Sequence, residues 1–143
     1  MRRIHLLRVA DEAHVYEPLL RAAAEADLRV GWLELQAPPQ PPEVLRAALG
    51  AGGDRAIAVG EGWTVTARPR KGASRLRELM RQQFLGCTLV LVHGEADAPT
   101  LAPVGEGAWR VTIPGGAERR LTLEQLVAAL REPRPFAPAE PVT

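Results

Sequence analysis

The chain has 143 residues with a net charge of +1, and 46% of its residues are hydrophobic while 24% are charged. This composition is typical of a globular domain and excludes a wholly disordered chain, and the single cysteine excludes an internal disulfide. The near-neutral charge provides no overall field for nucleic acid or membrane, and the few scattered aromatic residues do not make a base-stacking platform.

The composition also bears on location and stability. Residues 1–10 mix Arg and His into their apolar run, and no apolar stretch reaches membrane length, so a cytoplasmic protein is expected. The chain has thirteen prolines and no asparagine, and all but one of its eighteen basic residues are arginines. Both a thermophilic source and a GC-rich genome would give this bias.

The first part of the chain alternates strand-like and helix-like patterns. In residues 15–26 the apolar positions recur at helical spacing, with Pro18 tolerated in the first turn. Asp11, in the polar loop before this helix, is a candidate helix cap. In order, the predicted elements are a strand at 4–9, the helix at 15–26, a strand at 28–35, a Pro-rich connector at 37–42 and a short helix at 43–50.

In the second part of the chain, nearly the same sequence occurs twice: Val-Gly-Glu-Gly-Trp begins at Val59, and Val-Gly-Glu-Gly-Ala-Trp begins at Val104. Glycine-containing loops between strand-like runs predict β-hairpins, with the Trp after each turn packed against a following helix. The predicted elements are a hairpin at 56–67, a helix at 74–85, an apolar strand at 88–92, a hairpin at 100–113, and a helix at 122–131 that opens with a capping box.

Together these elements predict a single α/β domain over residues 1–132, followed by a Pro-rich extended or disordered tail at 133–143. The expected architecture is a layered βαβ arrangement with a Rossmann-like layout, a mixed sheet and two hairpin–helix units. Neither a Gly-rich dinucleotide fingerprint nor a P-loop motif occurs, so no nucleotide cofactor is expected.

The most unusual feature is a basic segment just before and inside the helix at 74–85. Across 68–81 there are six basic residues and one acid, Glu78, although a helix N-terminus already carries positive charge. Such a cluster favours a bound phosphate or carboxylate, or an acidic partner. The predicted anion-binding residues are Arg68, Arg70, Lys71, Gly72 and Ser74. The opposing interpretation is a solvated basic face, neutralised by Glu61 or another acid of the same chain.

Two other functions compete with a non-enzymatic anion-binding module. One is a homo-oligomeric interaction or scaffold protein, with Trp32, Trp63 or Trp109 as interface anchors. The other is a small hydrolase or lyase that uses His93, with Glu95, Asp97 or Asp11 as the nearby carboxylate. Specific nucleic-acid binding and membrane association are not expected. His93 and the same acids, with Glu12 and His14, would be the ligands of a metal, but polar turns contain these residue types routinely, so no metal site is predicted.

Overall fold

The computed structural model describes residues 4–36, 40–69, 75–133 and 135–136. In chain order its elements are β1 (His5–Val9), α1 (Glu17–Glu25), β2 (Val30–Glu34), α2 (Glu43–Gly50), β3 (Ala56–Val59), β4 (Thr64–Ala67), α3 (Leu76–Gln83), β5 (Leu89–His93), β6 (Thr100–Pro103), β7 (Ala108–Thr112), β8 (Glu118–Thr122) and α4 (Leu123–Ala129). A 3₁₀ turn at Ala13–Tyr16 leads into α1.

Contacts divide the chain into two compact units. The large unit comprises residues 1–36 and 76–143, and the small unit comprises residues 37–75. The expectation of one α/β domain over 1–132 stays a prediction. In the large unit the core extends as far as Phe136, which is buried although it falls in the segment predicted as a tail.

The large unit is built on a mixed sheet with the strand order β2-β5-β1-β6-β7-β8. Strands β2, β5 and β1 are parallel to one another, and β6 joins β1 in parallel through the pairing of Arg8 with Thr100. Strands β6, β7 and β8 then continue as an antiparallel meander. The predicted mixed-sheet α/β architecture with a Rossmann-like layout is confirmed.

Strand β5 is buried on both faces, as a central parallel strand requires. Leu89 and Leu91 belong to a cluster formed with residues of α1 and α4, whereas Val90 and Val92 pack with Met80 of α3 on the opposite face. This sheet is therefore covered by helices on both faces over its parallel half. The apolar run at 88–92 predicted this position from its composition alone.

The small unit consists of α2 and the antiparallel hairpin β3–β4, a two-stranded sheet in which Val59 pairs with Thr64. Its hairpin exposes large apolar side chains on both faces. By register, Ile57 and Val59 share one face, and they are 55% and 79% exposed. Trp63, just after the turn, is 81% exposed, so the prediction that this Trp is packed is wrong.

The two Val-Gly-Glu-Gly copies both form hairpin turns, as predicted, but they are not equivalent. In the first, the Gly60 amide donates to the Trp63 carbonyl, whereas in the second the Val104 amide donates to the Ala108 carbonyl. The extra alanine of the second copy lengthens that loop by one residue. Trp109 then pairs with Pro103 inside the large sheet and is only 4% exposed.

One strand was missed. The sequence predicted that the turn at Gly115 and Gly116 would lead straight into the last helix, but β8 intervenes. Its residues Glu118, Arg119 and Arg120 are exposed, and Leu121 is its one buried side chain, because β8 is an edge strand. It therefore lacks the apolar alternation that identifies a half-buried strand. The capping box at the start of α4 is confirmed: Gln125 and Thr122 exchange both hydrogen bonds.

In the part of the chain that the structure describes, every helix is too short or too polar to cross a bilayer.

Truncation of the central strand should show how strongly the fold depends on it. Leu91→Ala opens a cavity in a fully buried site and should lower the free energy of unfolding by about 2–5 kcal/mol. Leu85→Ala is the control, because Leu85 is 76% exposed and its loss should change stability by at most about 0.5 kcal/mol. Urea unfolding curves measure both, and equal losses would contradict this account of the core.

Candidate functional site

The strand order creates a crevice at the carboxyl ends of the parallel strands. In the strand order, the connection from β1 to β2 passes β5, and the connection from β5 to β6 passes β1, so the loops that leave β1 and β5 both lie at this edge. Ligands of open α/β sheets characteristically bind in the crevice outside the carboxyl ends of the strands. An open cleft of about 440 Å³ lies there, lined by residues 8–10, 35–36 and 94–95.

Gly94 allows the strands to end close together at this edge. Its φ is +136°, a conformation that side chains other than glycine rarely adopt. A Cβ at this position would lie 2.8 Å from the Cβ of Leu35 and 3.3 Å from the Gln36 nitrogen. The close approach of the β5 and β2 ends at the cleft therefore requires glycine.

An imidazole–carboxylate pair joins these two strand ends. The His93 side chain, 12% exposed, places Nδ1 2.7 Å from Glu34 Oε2 and 2.9 Å from Glu34 Oε1. Glu34 Oε2 also accepts a hydrogen bond from the Gln36 amide at 3.1 Å, and Oε1 accepts one from Trp32 Nε1 at 3.4 Å. Glu34 and His93 are the last paired positions of β2 and β5, where they lie directly opposite each other.

Hydrogen bonding to Glu34 raises the pKa of His93 above its usual value, opposed by partial desolvation and reinforced by the charge of Glu34 and by the Ala10 backbone. The imidazolium form is thus the form that this site stabilises. The Trp32 ring lies 5.8 Å from the imidazole, close enough for a favourable contact with a cation. His93 therefore links the ends of β2 and β5 through the contact of its Nδ1 with the Glu34 carboxylate.

Three aromatic side chains, Tyr16, Trp32 and Trp109, pack together near the same edge. Tyr16 is fully buried, with ring centroids 6.0 Å from Trp32 and 5.8 Å from Trp109. Its hydroxyl lies 3.2 Å from Asp11 Oδ2 and 3.3 Å from the Leu101 carbonyl oxygen. Burial, with the nearby Asp11 charge, raises the pKa of Tyr16 to about 12. Asp11 therefore anchors the loop after β1 to the core instead of capping α1, whose N-cap is Tyr16.

The charges at the cleft are mostly acidic. Asp11 and Glu12 follow β1, Glu34 ends β2, and Glu95 and Asp97 follow β5. Arg8 is the cation of the cleft lining, and its guanidinium lies 3.9 Å from Glu95, a pair exposed enough to be weak. Carboxylates at this edge oppose the binding of a phosphate group. Within the described residues, no group of three His, Cys, Asp or Glu side chains is arranged to hold a metal ion.

The predicted site residues fall in two places. Of the anion-binding set, Arg68 is exposed, whereas Arg70, Lys71, Gly72 and Ser74 lie outside the described residues. Of the predicted acid–base set, His93 has Glu34 as its partner, Glu95 lies beside Arg8, and Asp11 beside Tyr16.

Sequence reasoning missed Glu34, the carboxylate that pairs with His93. One signal was available, since Glu34 ends a predicted strand and shares the alternation of Trp32. What the sequence lacked was the strand order. Only the adjacency of β2 and β5 places a residue 59 positions away beside the imidazole.

The His93–Glu34 pair should make stability depend on pH. Because the pKa of His93 is raised in the folded chain, its contribution is complete below about pH 6.5 and is lost as pH rises through the folded-state pKa. Glu34→Gln should lower the pKa of His93 in an NMR titration and flatten the fall in unfolding free energy above neutral pH. Glu25→Gln, which removes an exposed carboxylate from α1, should leave the His93 titration unchanged; a shift in both variants would contradict a specific pair.

Comparison with known proteins identifies structural neighbours only. No family model matches the chain, and no curated protein matches its sequence. A crystal structure of Bacillus subtilis MobB is similar, with a TM-score of 0.50 and 21% identity over 72% of this chain and 69% of that one.

Two further structures are more distant. Another structure of Bacillus subtilis MobB has a TM-score of 0.48 at 21% identity, and the alignment covers 68% of this chain and 63% of that chain. A MobB homolog from Bacillus stearothermophilus has a TM-score of 0.44 at 20% identity, with 66% and 60% covered. At this level of identity, the first likeness supports the layered α/β fold of this chain and nothing about its ligand.

Proposed function

We propose that the chain is a non-enzymatic α/β binding protein for a phosphorylated small molecule or another anion, bound at residues 68–75, the part of the basic segment that belongs to the small unit. Arg68, Arg70 and Lys71 supply positive charge, while Gly72 and Ser74 supply backbone and hydroxyl donors. Guanidinium–phosphate contacts are among the strong charge-assisted hydrogen bonds of proteins.

The observation that supports the proposal is that the described arginines of this segment have no acidic partner among the described residues. Arg68 and Arg75, the described residues at the two ends of this segment, are both exposed. Neither forms an ion pair with any described carboxylate, and Glu61, the acid that the sequence offered as a counter-charge, forms none with any described residue. The opposing interpretation of a self-neutralised face loses its main support among these residues.

The acidic residues at the carboxyl edge of the large sheet also favour the basic segment as the anion site. In many α/β proteins a phosphate would bind at that edge, but here Glu95 lines the cleft, and Asp11 and Glu12 follow β1 at the same edge. A glycine-rich phosphate loop is also absent from the sequence. An anionic ligand is therefore better accommodated by the basic segment than by the cleft.

Charge reversal in the segment tests this proposal. Arg70→Glu combined with Lys71→Glu should weaken the binding of inorganic phosphate and pyrophosphate by at least about tenfold, because opposed charges become like charges. Isothermal titration calorimetry at low ionic strength measures both anions.

The matched control is Arg46→Glu combined with Arg55→Glu, which changes the net charge equally with two exposed arginines of the same unit. An equal loss of affinity in the two double variants would show general electrostatics without a site. Unchanged affinity in the Arg70/Lys71 variant would overturn the proposal.

A second candidate function is self-association through the small unit. A two-stranded sheet is marginally stable alone, and this one exposes Ile57, Val59, Trp63 and Val65. By register, Ile57 and Val59 share one face of the hairpin and Val65 lies on the other, and exposed apolar surface of this kind marks interaction sites. Of the three tryptophans considered as anchors, Trp109 is buried in the large unit and Trp63 is the exposed one.

Light scattering after size-exclusion chromatography tests self-association. The wild-type chain should be a dimer or larger, and Trp63→Ser combined with Val59→Thr should be a monomer because the apolar contact is lost. Leu85→Ser, a polar substitution of an exposed leucine in the large unit, should leave the mass unchanged. A wild-type chain that stays monomeric at high concentration would contradict this function.

A further inference from the structure

Two arginines face each other across the antiparallel edge of the large sheet. The β7–β8 register places Arg110 directly opposite Arg120, so that both side chains lie on one face. Like charges in directly opposed positions destabilise a sheet. This pair lies in the large unit and is independent of the basic segment of the small unit.

The two arginines occupy the closer kind of cross-strand pair. The Ile113 amide donates to the Ala117 carbonyl, and the alternation of antiparallel ladders then makes Val111 and Arg119 the next hydrogen-bonded pair. Arg110 and Arg120 form the next pair along the ladder, which is a non-hydrogen-bonded pair with Cα atoms about 4.5 Å apart. The side chains of such pairs approach closely, so both guanidinium groups can reach one small ligand.

No described carboxylate neutralises the pair. Glu118 shares the face, two residues from Arg120 along β8, yet neither arginine forms an ion pair with it or with any other described acid. Arg120 is exposed and Arg110 half-buried, so the charge remains accessible to a solute.

The surrounding face leaves room for a ligand. The register places Ala102 beside Arg110 on β6, and Thr100 beside Thr112 one step along. These side chains are small, and none of them belongs to either hydrophobic cluster of the unit. The helices α1 and α4 pack on the opposite face, where Trp109, Val111 and Leu121 are buried.

We infer that Arg110 and Arg120 form a clamp for a phosphate or sulfate group on this face of the large unit. A tetrahedral dianion offers several acceptor oxygens, and two planar guanidinium groups can each donate in a forked geometry to it. The hydroxyl of Thr112, on the same face, is a further donor at the edge of the clamp. Binding would convert a repulsive cross-strand pair into a bridged one.

Amide NMR spectra during titration with inorganic phosphate, glycerol 3-phosphate and sulfate would test the clamp. The expected result is saturable shifts at Arg110, Thr112 and Arg120, with the phosphate dissociation constant at least about tenfold weaker in Arg110→Gln combined with Arg120→Gln. The free phosphate ion and the phosphate monoester are compared because the clamp would accept the shared group from either source.

The control is Arg29→Gln combined with Arg131→Gln, which removes two exposed arginines from the same unit and should keep the wild-type affinity. Thermal unfolding without phosphate at low salt checks folding, and the Arg110/Arg120 variant should be at least as stable as wild type because the repulsion is removed. The inference is overturned if shifts appear only at Arg68 and Arg75, if none appear, or if both double variants lose affinity equally. Shifts confined to the Arg110 face would leave this clamp standing while contradicting the anion site of the small unit.

Discussion

Burial of β5 on both faces is the constraint on which the large unit depends. Leucines on one face and valines on the other can be removed from water only if helices cover both sides, and α1, α4 and α3 do so. Because β5 pairs in parallel with β1 and β2, the carboxyl ends of all three strands meet at one edge. The position of the cleft is thus a consequence of how the core is packed.

That edge carries a chemistry unlike the usual phosphate-binding turn of an α/β sheet. Its loops contain carboxylates, and the hydrogen bond between His93 and Glu34 raises the pKa of the imidazole. A histidine used in this way ties strands together and is poorly placed to accept a proton through Nδ1. The Tyr16 hydroxyl, shared between Asp11 and the Leu101 carbonyl, fixes the neighbouring loop to the core. Both contacts stabilise this edge of the sheet.

Described arginines without an ion-pair partner among the described residues lie elsewhere, at Arg68 and Arg75 and in the pair formed by Arg110 and Arg120. In each place the described arginines have no acidic partner, although the chain as a whole is nearly neutral. Within the large unit, the acids lie at the carboxyl edge, whereas Arg110 and Arg120 lie on its antiparallel strands. The small unit adds an exposed apolar hairpin that its own two strands do not cover.

The sequence by itself determined the local elements whose signals are local. The apolar run of β5, the capping box of α4 and the glycine turns of both hairpins depend on neighbouring residues, and all were predictable. Strand β8 was not, because an edge strand needs little apolar alternation. Only the tertiary structure decided that β2 lies beside β5 and that β7 pairs with β8. Those pairings join residues far apart in the chain, so Glu34 met His93 and Arg110 met Arg120 through strand order and register, which no short stretch of sequence encodes.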